Sequence, residues 1–457
     1  MLFRSAVLNS SAGSVTTKNV TAGQAVDIDA KQDITAGGNL ISNSGEITLD
    51  AGGSVTTGGT VNAHDDVIAN ANGDISTNGD VTAQTGKAKL KSSEGSVTTK
   101  NVKANNEVDI DAANNITANG SLTSDTANVD LLAGGSIATQ GTVNALNNVI
   151  ANANGDINTN GDVTATNGNT VLNSSAGSVT TKNVTAGQTV DIDAKQDVTA
   201  DGYLNAKNGD ITLDAGGSIT TNSTVNANNN VTANANGDIN TNGDVIATNG
   251  NAVLNSKGGS VNTQNVTAGQ AVDIDAANNI TANGSLTSTN ANVDLKAKGG
   301  SITTRKQVKA QQNVDYNAKG SITTEGIINS TAGNIKLQTK ADEGNITFGG
   351  DVTAEHGNIN IDVLQNGNVT DNDKVFKALG DKGDINSGNF ALNIIGKGDV
   401  DLHEIYATNN ALIDVANGNL TLTKIDGNLV ALQLKTEGKQ LKVDELIAGT
   451  KIIAQGS

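Results

Sequence analysis

The sequence predicts an all-β fold, a right-handed parallel β-helix (a solenoid) of about 21 three-sided coils. First, closely related segments begin at Leu8, Leu90, Leu172 and Leu254, each 82 residues after the last. Second, short stretches alternate apolar and polar residues with a period of two, the pattern of half-buried strands. Third, glycine and asparagine separate these stretches, while proline, which interrupts a β ladder, is absent from the sequence. Such a repeat is typical of stacked units and argues against a core built around one catalytic pocket.

One coil can be followed in residues 25–45. Apolar residues alternate with aspartates from Val26 to Ala30, which predicts a strand with one buried face. A second short strand is expected around Ile34 and a third around Leu40, with glycine or asparagine at the corners. Three strands in each turn of the chain predict a three-sided coil.

Each 82-residue repeat contains four such coils, and each coil has an apolar anchor flanked by polar residues, as in GSVTT. The anchors are Val15, Ile34, Val55, Ile75, Val97, Ile116, Ile137, Ile157, Val179, Val198, Ile219, Ile239, Val261, Ile280, Ile302, Ile322, Ile346, Val369, Val400, Leu420 and Leu441. Because the strands recur in the same order, we expect each to pair in parallel with its equivalent in the next coil, and none to pair within a coil. Parallel crossovers are right-handed in about 98% of cases, which predicts the hand of the solenoid.

The repeat is regular over residues 1–333 and less regular over residues 334–457. The spacing between Val369 and Val400 is about ten residues too long for one coil, which predicts an excursion at residues 371–383. Asp373 is expected to cap a short helix over residues 374–379.

Composition excludes several classes of function. The formal net charge is −18, and Arg4 and Arg305 are the only arginines, so the chain lacks the basic footprint that nucleic acids require. Without cysteine there is no disulfide, thiolate metal site or cysteine nucleophile. No apolar run approaches the roughly 18 residues of a membrane-spanning helix. The first five residues are followed at once by repeat sequence, which leaves no room for a signal peptide, and we expect Met1 to lie within a longer polypeptide.

Paired aspartates are the candidate metal ligands. The motif DID and the coils that follow it supply Asp27, Asp29, Asp50, Asp191, Asp193 and Asp214. Carboxylates in neighbouring coils, about 5 Å apart, are suited to Ca²⁺, which takes six to eight oxygen ligands. The alternative is a solvated acidic face, and it is favoured because the column is interrupted: Asp111 is followed by Leu132 and Asp275 by Lys296.

No catalytic or cofactor-binding residues are predicted. His64, His356 and His403 are far apart in sequence, and none has the spacing of a metal or triad motif. Glycine-rich nucleotide-binding motifs are missing. Acidic residues recur with the repeat, whereas a catalytic site normally occurs once. The chain is therefore interpreted as a non-enzyme.

The repeats resemble a known family. The runs EITLDAGGSVTTGGTVNA at 46–63 and DITLDAGGSITTNSTVNA at 210–227 are similar to repeats of filamentous haemagglutinin-type bacterial exoproteins, and most of all to the leukotoxin-family filamentous adhesins. The resemblance implies a secreted or autotransported passenger with a right-handed β-helical shaft, located outside the cell or on its surface, and a role in attachment. It supplies no site residues, and it does not extend to the family's export signal, secretion domain or C-terminal barrel.

The predicted function is that of a shaft or passenger segment of a secreted or surface-exposed bacterial adhesin, acting in attachment to host cells, surfaces or biofilm. The ligand expected is a host-surface, glycan or matrix component, and unpaired strand edges at the end coils invite end-to-end self-association. Two alternatives stay open: a β-helical polysaccharide lyase or hydrolase, and the passenger of a secreted toxin.

Overall fold

The computed structural model describes residues 4–381 and 384–455, and all of its regular secondary structure there is β-strand. The strands pair in parallel with the equivalent strands of the next coil, as Ala6–Ser10 does with Val26–Ala30. With 21 anchors on successive coils, the predicted parallel β-helix is confirmed. The chain forms two units, residues 1–223 and 224–457. The change near Gly333 that the sequence suggests stays a prediction.

In the first unit every coil has a five-residue strand on side A and three-residue strands on sides B and C. Side A comprises Ala6–Ser10, Val26–Ala30, Ile47–Ala51, Val67–Ala71, Ala88–Ser92, Val108–Ala112, Val129–Ala133, Val149–Ala153, Thr170–Ser174, Val190–Ala194 and Ile211–Ala215. Side B comprises Val15–Thr17, Ile34–Ala36, Val55–Thr57, Ile75–Thr77, Val97–Thr99, Ile116–Ala118, Ile137–Thr139, Ile157–Thr159, Val179–Thr181, Val198–Ala200 and Ile219–Thr221. Side C comprises Val20–Ala22, Leu40–Ser42, Val61–Ala63, Val81–Ala83, Val102–Ala104, Leu122–Ser124, Val143–Ala145, Val163–Ala165, Val184–Ala186 and Leu204–Ala206.

The second unit has the same three sides. Side A comprises Val231–Ala235, Ala252–Ser256, Val272–Ala276, Val293–Ala297, Val314–Ala318, Ile335–Thr339, Ile359–Val363 and Phe390–Lys397. Side B comprises Ile239–Thr241, Val261–Thr263, Ile280–Ala282, Ile302–Thr304, Ile322–Thr324, Ile346–Phe348 and Val369–Asp371. Side C comprises Val225–Ala227, Val245–Ala247, Val266–Ala268, Leu286–Ser288, Val308–Ala310, Ile328–Ser330, Val352–Ala354 and Val375–Ala378. In the last coils the sides join into the long strands Val400–Asn417, Leu420–Leu434 and Leu441–Gln455.

The core of each unit consists of columns of like side chains. In side B of the first unit, Val15, Ile34 and Val55 lie in register on successive coils and point inward. Residues between them in the alternation, such as Thr35, point outward. A coil by itself cannot bury its apolar face, so each coil depends on its two neighbours, and stability is close to a sum of nearest-neighbour terms.

Polar side chains at the corners continue the ladder between strands. At the corner before side B, the backbone N–H of Asp33 donates to Ser14 Oγ at 3.1 Å, and the N–H of Ser54 donates to Asp33 Oδ1 at 2.8 Å. At the corner before side C, the N–H of Asn39 donates to Asn19 Oδ1 at 2.8 Å. These bonds satisfy corner N–H groups that lie outside the strands. They explain why asparagine, aspartate and serine recur at these positions.

The helix predicted over residues 374–379 is wrong. Val375–Ala378 is a strand that pairs in parallel with Val352–Ala354. Phe376 points inward, and its ring centroid lies 4.9 Å from that of Phe348 and 5.9 Å from that of Phe390. Burial of this aromatic cluster outweighs the local helix propensity of the segment, since edge-to-face contacts add to the area buried.

Asp373 does not cap a helix but has a φ of 55°, the left-handed conformation that aspartate tolerates in turns. Between the side C strand ending at Ala378 and the side A strand beginning at Phe390, the corner is longer than the one between Ala354 and Ile359. Lys382 and Gly383, part of the expected excursion, lie outside the described residues.

Candidate functional site

The six candidate calcium ligands lie on the outward face of side A. Asp29 lies in register with Asp50, and Asp193 with Asp214, as the sequence predicts. Asp27 instead lies beside Thr48. In the same way, the register partner of Asp191 in the following coil is Thr212. The structure therefore brings the candidates together in pairs along the side A column.

The surroundings of the first pair favour the solvated-face interpretation. Asn70 Nδ2 donates to Asp50 Oδ1 at 2.7 Å, and Lys31 and Lys91 line the same shallow depression. Over residues 4–381 and 384–455, no group of three or more histidine, cysteine, aspartate or glutamate side chains is arranged to hold a metal ion. A calcium role for these aspartates stays a prediction.

A different column brings three aspartates into register. Asp273, Asp294 and Asp315 occupy equivalent outward positions on three successive coils of the second unit, and Lys336 follows Asp315. In the neighbouring column, Lys298 Nζ lies 2.9 Å from Asp275 Oδ2. The sequence contains a signal for the aspartate column, because the three residues are 21 apart, but the interrupted second aspartate of DID had drawn attention away from it.

Stacking raises the proton affinity of this column. Burial, followed by repulsion from Asp315 and Asp273, raises the pKa of Asp294 above its ordinary value. Burial, followed by Asp275, raises the pKa of Asp273. In the first unit, burial and then Glu107 raise the pKa of Asp130 to about 6. These carboxylates bind protons more tightly in the folded chain than in the unfolded chain, so stability decreases as pH rises from the unfolded pKa through the folded pKa.

We expect Asp294→Asn to stabilise the chain at about pH 7.5, because the amide keeps the shape of the side chain and removes the repulsion. The gain in the free energy of unfolding should be about 0.5–1 kcal/mol, since solvent screens half-exposed charges. It should shrink as pH falls towards 4, where the wild-type carboxyl is protonated. Urea unfolding followed by circular dichroism at several pH values measures the difference.

Asp414→Asn is the matched control for this prediction. Asp414 is also an outward side A residue, but Lys435 Nζ lies 2.6 Å from its Oδ2, and its register neighbours are Asn393 and Gln433. Its substitution should give no gain at pH 7.5. Equal stabilisation by both variants, or a gain that is the same at all pH values, would contradict the repulsion account.

The histidines contact separate carboxylates and do not form one site. His64 Nε2 lies 3.9 Å from Asp65 Oδ1 in the first unit. In the second unit, His356 Nδ1 lies 3.4 Å from Asp381 Oδ1, and His403 lies within 3.8 Å of both Asp373 and Glu404. These are surface pairs of low energetic value.

Comparison with known proteins gives no relative from which function can be transferred. Within the described ranges, the structure has no helix that is long and apolar enough to cross a membrane. No protein-family model, no curated protein and no solved structure matches the chain.

Proposed function

We propose that this chain is a shaft segment of a secreted or surface-exposed bacterial adhesin. The observation that carries the proposal is the stacking of near-identical repeats, which leaves the same polar side chains on the outside of successive coils. Strands such as Val26–Ala30 bury their apolar residues and expose their aspartates. A repeated outward surface suits attachment because many weak contacts add through effective concentration. The similarity of residues 46–63 and 210–227 to adhesin repeats supports the same function.

Bead binding tests the proposal. Beads coated with the chain should attach to cultured host cells or to a biofilm surface more than albumin-coated beads do. Beads coated with a variant that lacks residues 90–171 should attach less, because one 82-residue set of contacts has been removed. Attachment no greater than that of albumin beads would contradict the function.

The second candidate is a β-helical polysaccharide lyase or hydrolase, since a parallel β-helix is compatible with both functions. The mixed acidic and basic side chains around Lys336 and the Asp273 column are the observation in its favour. Release of reducing sugar from a panel of polysaccharides would support this candidate. A toxin passenger would be indicated instead by damage to host cells that exceeds attachment alone.

A further inference from the structure

The outer face of side C changes character in the last coils of the second unit. Two neighbouring outward columns run through four coils there: Val375, Glu404, Lys424 and Glu445 in one, and Lys377, Tyr406, Asp426 and Ile447 in the other. Earlier side C strands carry a single outward residue, for example Thr82 between Val81 and Ala83. The joined strands of the last coils therefore display a wider surface with an aromatic ring at its centre.

Two contacts hold the Tyr406 ring in place. Its hydroxyl donates to Glu404 Oε2 at 3.0 Å. Lys424, from the following coil, has its Nζ 5.5 Å from the ring centroid, and this ammonium also lies 3.4 Å from Glu445 Oε2. A cation over the ring and a hydrogen bond at its tip restrict the side chain before any ligand arrives, which lowers the entropic cost of binding.

A pocket of about 420 Å³ opens on the side of the preceding coil. It is lined by Val375, Lys377, Leu379, Glu404 and Tyr406. Lys424 is not part of its wall, so the ring has one side towards the cation and another towards the pocket. Leu379 is 37% exposed, a large apolar side chain left open at the rim. The pocket thus combines an aromatic wall and two aliphatic side chains with one carboxylate and one ammonium group.

The polar groups at the rim are available to a ligand. Within residues 4–381 and 384–455, Lys377 forms no ion pair, unlike Lys424, which is paired with Glu445. Glu404 accepts the tyrosine hydroxyl with Oε2, and its second oxygen lies 3.7 Å from His403 Nε2. A donor and an acceptor on either side of an apolar floor match a flat ligand that has C–H groups on its face and hydroxyls around its edge.

We propose that this pocket, the Tyr406 pocket, binds a pyranose ring of a neutral glycan. The weakly positive C–H face of the sugar packs on the negative face of the tyrosine ring and on Val375 and Leu379. Sugar hydroxyls accept from Lys377 and donate to Glu404. The carboxylates of Asp426 and Glu445 and the net charge of −18 disfavour sulfated or otherwise anionic glycans. The proposal names a ligand class for the adhesin and so rests on the function proposed above.

Binding of defined sugars to the full chain tests the proposal. The probes are tetrasaccharides of β-1,4-linked glucose, of N-acetylglucosamine, and one terminated by galactose, with heparin as the sulfated probe and an apolar peptide as the competing class. Saturation-transfer NMR and calorimetry should detect at least one neutral tetrasaccharide. Tyr406→Ala should weaken that affinity by about tenfold, the loss expected for an aromatic anchor, and Tyr406→Phe by about twofold to threefold, because stacking is kept.

Tyr203→Ala is the matched control. Tyr203 is another outward tyrosine, 42% exposed and in the first unit, so its substitution should leave the sugar affinity unchanged. Circular dichroism must show that all variants remain folded. Failure of every neutral probe to bind the wild-type chain, a preference for heparin or the peptide, or equal losses in Tyr406→Ala and Tyr203→Ala would overturn the proposal.

The bead assay separates failure of this site from failure of the function. If beads coated with the wild-type chain and with Tyr406→Ala attach equally well to cells, the adhesin function stands and the Tyr406 pocket is not its ligand site. If a neutral tetrasaccharide binds in a Tyr406-dependent way but wild-type beads do not attach, the pocket stands and the adhesin function is wrong.

Discussion

Substitution of Ile157 by aspartate is expected to unfold the coils around it, whereas substitution of its neighbour Asn158 by aspartate is expected to be tolerated. Ile157 is 0% exposed and lies in register between Ile137 and Val179. An aspartate there loses the buried side chain and places an unpaired carboxylate among apolar groups, and each of these costs several kcal/mol. The combined loss of about 4–5 kcal/mol or more is at the extreme of single substitutions.

Hydrogen exchange measured peptide by peptide is the suitable readout, because unfolding of a repeat protein need not be all-or-none. Ile157→Asp should abolish protection in Ile137–Thr139, Ile157–Thr159 and Val179–Thr181 and preserve it in distant coils of the first unit. Asn158→Asp points outward between Ala138 and Thr180, so its effect should stay within about 0.5 kcal/mol. Similar effects of the two substitutions would show that the inward and outward assignments are wrong.

The second large effect is expected at a corner where the coils approach closely. A Cβ atom on Gly141 would lie 2.5 Å from the carbonyl carbon of Gly120 and 2.6 Å from the backbone nitrogen of Ser121. Backbone atoms on both sides cannot move without loss of the ladder, so Gly141→Ala should separate two coils locally. The expected cost is about 1–3 kcal/mol, as for overpacking in a core.

Gly37→Ala is the control for this substitution. Gly37 is also a corner glycine, but the nearest atom to its Cβ position is Thr17 O at 3.8 Å, an ordinary contact. Gly37→Ala should therefore leave hydrogen exchange unchanged, whereas Gly141→Ala should lower the protection of Leu122–Ser124 and Val143–Ala145. An equal response to both substitutions would indicate that corner spacing is not what requires glycine at position 141.

The strands and their register were predictable because the signal is local and repeats. Val26, Ile28 and Ala30 alternate with polar residues, and the recurrence every 82 residues shows which strands are equivalent. Asp29 beside Asp50 follows from that spacing alone. Where like residues recur at like positions, sequence distance becomes spatial neighbourhood.

The irregular part could not be predicted in the same way. Asp373 and the helix-favouring residues after it suggest a helix, and only the position of Phe376 between Phe348 and Phe390 explains the strand. These rings are distant in sequence. The Tyr406 pocket was missed for the same reason, since the register of Tyr406 with Lys377 depends on how the long connection before Phe390 is accommodated.

Deletion of residues 90–171 from the first unit tests the central claim most directly, which is that each coil is held by its neighbours alone. The deletion removes one 82-residue repeat and joins Lys89 to Leu172, so that the junction recreates a side A strand closely similar to Ala88–Ser92. Circular dichroism per residue and the exchange protection of the remaining strands should equal those of the full chain. A loss of β-sheet signal, or of protection in coils far from the junction, would contradict the claim.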